Sequence, residues 1–103
     1  MAVIELTKEN FDKEVVESDK IVLIDFWASW CAPCRMLSPT VDEIAEEKTD
    51  VKVCKVNVDK QNELASAFNV SSIPMLVVIK DKKIVNSSIG VVSKEKILKM
   101  LEI

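Results

Sequence analysis

The feature that most constrains this chain is Ile21–Trp27, IVLIDFW, in which six of seven residues are apolar and nothing alternates. A strand with one wet face alternates apolar and polar positions. An unbroken apolar run of strand length belongs to a strand buried on both faces, as in a parallel sheet covered by helices. The remaining sequence supplies such neighbours. Residues 2–6 predict a short strand. Thr7 is placed to cap a following helix whose apolar positions Phe11, Val15 and Val16 fall at helical spacing. Residues 34–48 predict a helix with Leu37, Val41, Ile44 and Ala45 as its apolar stripe and Asp42, Glu43, Glu46 and Glu47 on its wet side. Pro39 lies inside that helix and is expected to kink it. Residues 51–59 form a second buried-type strand, and 62–68 a short helix with Leu64 and Phe68 on one face.

After Pro74, MLVVIK reads as a strand. Asp81, Lys82 and Lys83 make a turn, residues 84–89 return as a hairpin partner, and Gly90 ends it. Ser93 caps a last helix that directs Ile97, Leu98 and Leu101 to the core. Strands alternating with helices imply right-handed crossovers and a parallel portion, to which the hairpin adds an antiparallel one. The expected class is therefore α/β, a mixed five-stranded central sheet flanked by four helices, with residues 1–103 forming a single domain. Only one glycine is present where average usage gives about seven. Turns that need positive φ must then fall on Asn, Asp or Lys, with Asn69 and Asp81 as candidates.

Composition narrows the chemistry. Fourteen basic against 17 acidic residues leave a net charge of −3, which carries no nucleic-acid footprint. The chain has no histidine, so a Ser-His or Cys-His catalytic pair and a His-ligated metal are excluded. The opening MAVIELTKENFDKE has neither a basic leader nor an apolar stretch of signal length, and no run approaches a membrane span. A cytoplasmic protein with no membrane partner is expected. Zinc normally takes four ligands, and the one other cysteine, Cys54, cannot complete a set with Cys31 and Cys34. Cys54 itself reads as core filler, with a regulatory thiol as the second reading.

The chemistry concentrates in Cys31-Ala32-Pro33-Cys34, at the junction of the buried strand and the helix after it. Unpaired N–H groups and the helix dipole favour negative charge at a helix start, and the thiolate is the reactive form of cysteine. Cysteines at i and i+3 across that start reach disulfide distance, so one site can hold a dithiol or a disulfide. Pro33 suits the first turn, where its missing N–H would have no helical partner.

WCAPC after IVLIDFWA, a proline inside the following helix, and SIPM before a β-hairpin together resemble the thioredoxin family, in order and across essentially the whole chain. The resemblance implies the thioredoxin fold and a protein-disulfide reductase acting by dithiol–disulfide exchange. Cys31 would be the exposed attacking thiolate and Cys34 the buried resolving thiol. Asp25 would be the buried carboxylate that takes the Cys34 proton, and Lys55 on the neighbouring strand would tune it; the other reading of Lys55 is a solvated strand-end lysine. Pro74 would be the family's cis-proline. The implied substrate groove comprises Trp30, Ala32, Pro33, Ser72, Ile73, Pro74, Gly90 and Val91, with the Ile73 backbone pairing an extended substrate segment. No bound cofactor is implied beyond the redox-active Cys31–Cys34 pair. The implied partners are disulfide-containing substrate proteins and a thioredoxin reductase that restores the dithiol, and a monomer is expected.

Three residues depart from the family pattern. Ala32 stands where glycine is usual, Ser72 where glycine commonly precedes Ile-Pro, and Met75 where threonine is usual, and these put redox potential and partner preference in question. An oxidising or isomerising role is the alternative within the superfamily. A binding subunit that uses the fold and not the thiols is the alternative outside it.

Overall fold

A computed structural model describes residues 2–102. The elements follow the predicted order: strands β1 (Val3–Glu5), β2 (Ile21–Trp27), β3 (Val51–Asn57), β4 (Met75–Lys80) and β5 (Lys83–Ile89); helices α1 (Ala32–Glu47), α2 (Asn62–Ala67) and α3 (Lys94–Met100); and a π-helical turn, Asp12–Val16, between β1 and β2. The sheet order is β1-β3-β2-β4-β5. β1 and β2 flank β3 in parallel, while β2–β4 and β4–β5 are antiparallel. This is the mixed five-stranded α/β sheet with four helical segments.

The continuous apolar run is central, as its composition demands, and its two faces feed two cores. Leu23, Val53, Leu76 and Val78 pack with Leu37, Val41 and Ile44 of α1 and Ile97 and Met100 of α3. Val22, Ile24, Phe26, Cys54 and Val77 pack on the opposite face with Val15 and Leu64. Asp25 is the one buried charged residue of the described chain, 1% exposed, and alternation places it on the face covered by α1 and α3. Lys94 at the start of α3 pairs with Glu43 and Glu47 of α1, tying the two helices on that face together.

Several details differ from expectation. The first helix is a five-residue π-helical turn, closed by Glu17 N–H donating to Asp12 O at 2.9 Å. Thr7 does not cap it. Thr7 and Asn10 instead cap each other's backbone N–H, at 2.8 and 3.2 Å, and so use up the turn before it. α1 begins at Ala32, two residues before the range read from its apolar stripe, with Cys31 as its N-cap just ahead of the first turn, as the placement of the cysteine pair implied. Pro39 lies inside α1 as predicted, and the helix continues past it to Glu47. The hairpin turn is the two residues Asp81 and Lys82, with Lys83 already in β5 opposite Lys80. Positive φ falls on Asn69 and Asp81 as anticipated, and also on Lys82 at +68°. Ser93 caps α3 by accepting the Lys96 N–H at 3.1 Å.

Candidate active site

β2 carries the chain from the buried core to the end of the central strand, and a tight turn follows in which Cys31 N–H donates to Ala28 O at 3.2 Å. Cys31 then adopts extended dihedrals as N-cap, and α1 begins with Pro33 in its first turn. Cys31 and Cys34 are disulfide-bonded, with Cα atoms 5.3 Å apart. The Cys34 N–H donates to Cys31 Sγ at 3.2 Å. A helix-start N–H, which has no intrahelical partner, thus points at the Cys31 sulfur.

Cys31 is not exposed as the resemblance implies. It is 5% exposed, and with Ala28 and Cys34 it forms a small cluster covered by Trp27, Val58 and Ile73. Its sulfur lies 3.9 Å from the Ile73 carbonyl oxygen. The Ile73–Pro74 bond is cis. Pro74 is buried, while Ser72, Ala32, Pro33 and Val91 are exposed around it. Gly90 adopts φ +95° and donates its N–H to Pro74 O at 2.8 Å, which joins the end of β5 to the proline loop. A Cβ at Gly90 would meet nothing within 4 Å, so the backbone angle, and not space, calls for glycine here. Trp30 is 67% exposed, and its indole N–H donates to Asp59 Oδ2 at 2.8 Å.

Asp25 enters from below. Burial pushes its carboxyl up to about 6, with Lys55 pulling the other way and Asp42 adding to the rise. Its Oδ1 is buried without a hydrogen-bond partner. Lys55 is in register with Asp25 on β3, but its Nζ donates to Ser38 Oγ at 2.5 Å and pairs with Asp42 Oδ1 at 2.8 Å. A cavity of about 200 Å³ lined by Trp27, Cys34, Arg35, Ser38 and Lys55 opens beside the Cys34 sulfur.

Sequence reasoning missed Asp59, Ser38 and the pairing of Asp42, exposed on the wet side of α1 as predicted, with Lys55. Asp59 lies 29 residues from Trp30, and no local pattern announces that pairing. Cys34, Ser38 and Asp42 do carry a signal, a spacing of four along one helix. On its other face of the sheet from Asp25, Cys54 is buried in the core, with its thiol pushed up to about 12.

A dithiol–disulfide couple at a helix start, beside a proline loop and above a buried carboxyl, defines the class as a thiol–disulfide exchange protein. The thioredoxin family model matches residues 2–103. The chain is 46% identical over 98 residues to Thioredoxin 1 of Synechococcus elongatus, spanning 94% of this chain and 92% of that one. It is 43% identical over 102 residues to Thioredoxin 1 of a Nostoc species, spanning 98% and 95%. It is 44% identical over 94 residues to the thioredoxin of Rickettsia felis, spanning 90% of each. The chain belongs to the thioredoxin family. It is a thiol–disulfide oxidoreductase with protein-disulfide reductase activity, and its two electrons reside in the Cys31/Cys34 pair itself.

Proposed function

We propose that Cys31 attacks the disulfide of a partner protein, that Cys34 resolves the product, and that Asp25 handles the proton of the resolving step. The observation that carries the order of attack is the Cys34 N–H aimed at Cys31 Sγ at 3.2 Å. Reduced Cys31 is the sulfur at which the backbone stabilises negative charge. Its thiolate attacks one substrate sulfur, the substrate S–S bond breaks, and the other substrate sulfur leaves as thiolate. Cys34 then gives its proton to Asp25, attacks Cys31 Sγ and releases the second substrate thiolate. The pair is left oxidised, having passed two electrons to the substrate.

Asp25 suits the proton step because its carboxyl titrates near 6, closer to neutrality than an ordinary aspartate, and has an oxygen with no other bond to satisfy. Ala32, Pro33, Trp30, Ser72, Ile73, Pro74, Gly90 and Val91 form the docking rim, with the Ile73 backbone pairing an extended substrate segment. A thioredoxin reductase restores the dithiol. The whole span 1–103 works as one monomeric domain, in the cytoplasm, where reducing systems can keep such a pair reduced. No helix among the described residues is long and apolar enough to cross a membrane.

The test is Asp25→Asn. Release of substrate from a preformed mixed disulfide on Cys31 is expected to slow about 100-fold at pH 7 and to lose its pH dependence near 6. An unchanged rate and profile would remove Asp25 from the mechanism.

A further inference from the structure

Cys34, Ser38 and Asp42 recur at intervals of four along α1 and so stack on one face of the helix. That face runs beside the cavity that opens next to Cys34. Lys55 reaches it from β3. Register puts Lys55 directly across from Asp25 on the same face of the sheet. An ammonium placed there has an evident partner in a buried carboxyl. It is nevertheless turned to the helix, 2.5 Å from Ser38 Oγ and 2.8 Å from Asp42 Oδ1, and Asp25 Oδ1 is left without a partner. Lys55 is largely buried, with its side chain 16% exposed, so this position is held by specific contacts and not by a drift toward water.

We propose that Ser38 is a positioning residue of the proton-transfer step, mooring the Lys55 ammonium to α1 together with Asp42 and keeping the cation off the Asp25 carboxyl. The inference rests on the reading of Asp25 as the base for Cys34. A cation in contact with Asp25 would favour its ionised form and make it a weaker base. Ser38 is the informative member of the mooring because it is neutral. Removing its hydroxyl moves the cation without changing the charge around Asp25, whereas removing Asp42 does both.

On this side of Asp25, β3 presents Lys55, in register with it, and α1 presents Cys34, Arg35 and Ser38 along the cavity and Asp42 beyond them; the Arg35 guanidinium donates to Ser29 O at 2.8 Å. The β4 residue opposite is the apolar Leu76, and the buried residues of α3 on this face are the apolar Ile97 and Met100.

The experiment titrates Asp25 by carboxyl carbon NMR in the full-length oxidised protein, where neither active-site cysteine ionises. Asp25→Asn identifies the signal. Ser38→Ala is expected to lower the Asp25 midpoint by about half a pH unit or more, as the cation gains access to the carboxyl. Ser38→Thr, which keeps a hydroxyl, should restore the wild-type midpoint. In a Lys55→Met background, Ser38→Ala should produce no further shift. An unchanged midpoint in Ser38→Ala would overturn the mooring, as would an equal drop with Lys55→Met present. The base reading fails separately, if Asp25→Asn leaves mixed-disulfide release unchanged whatever residue 38 is.

Discussion

Asp25 costs this protein stability at neutral pH. Its carboxyl is raised from 3.8 to about 6 by burial, a difference that corresponds to about 3 kcal/mol once it is ionised. The sign follows from the raised value: the folded state binds the proton more tightly than the unfolded chain does. Asp25 therefore imposes no such cost below pH 4, an increasing one between 4 and 6, and the full one above 6. Asp25→Asn should raise the denaturant midpoint at pH 7.5 and change it little at pH 4, as measured by urea unfolding at the two pH values. Equal effects at both would show that burial does not raise the Asp25 carboxyl above its ordinary value. Cys54 gives a second residue-scale prediction. Its thiol is buried and pushed up to about 12, so it remains protonated at neutral pH. In the reduced native protein, iodoacetamide should label Cys31 within minutes and Cys54 only after denaturation, read by peptide mass spectrometry. Native labelling of Cys54 would contradict its place in the core.

Among the elements, the strands were the most legible in sequence, because long apolar runs have no wet alternative. The apolar stripe of α1 was also legible, and Leu37, Val41, Ile44 and Ala45 are all buried. What the sequence hid was decided by contacts between elements. The π-helical turn follows a segment in which Thr7 and Asn10 cap each other, and it has no side-chain cap of its own. Asp42 is solvent-facing as its pattern predicts, but nothing local announces that Lys55 of β3 pairs with it. The cis bond before Pro74 was visible through family resemblance, not through residue patterns. The hairpin shows an element making do without glycine. Asp81 and Lys82 both take positive φ in a two-residue turn, which suits the twist of the strands but is unfavourable for L side chains. Lys82→Gly should therefore stabilise the protein by about 1 kcal/mol in denaturant unfolding. A loss of stability would mean that the Lys82 side chain contributes more than its backbone costs.

At the scale of the molecule, two cores on opposite faces share β2, β3 and β4, so neither can lose its packing without the other. Tryptophan fluorescence and far-ultraviolet circular dichroism should report one coincident unfolding transition, and separate transitions would contradict a single cooperative domain. The same arrangement explains why the chemistry is where it is. A strand buried on both faces ends at a helix start, bringing a carboxyl below, an N–H group behind and a proline loop across from one sulfur pair. The central claim, that Cys31 attacks and Cys34 resolves, is tested most directly by trapping. Reduced Cys34→Ser protein is mixed with a small protein bearing accessible disulfides, and the adduct is digested and mapped by mass spectrometry without reducing agent. The account predicts a stable mixed disulfide on Cys31 in nearly all of the trapped material. A substrate adduct on Cys54, or none at all alongside undiminished turnover, would contradict it.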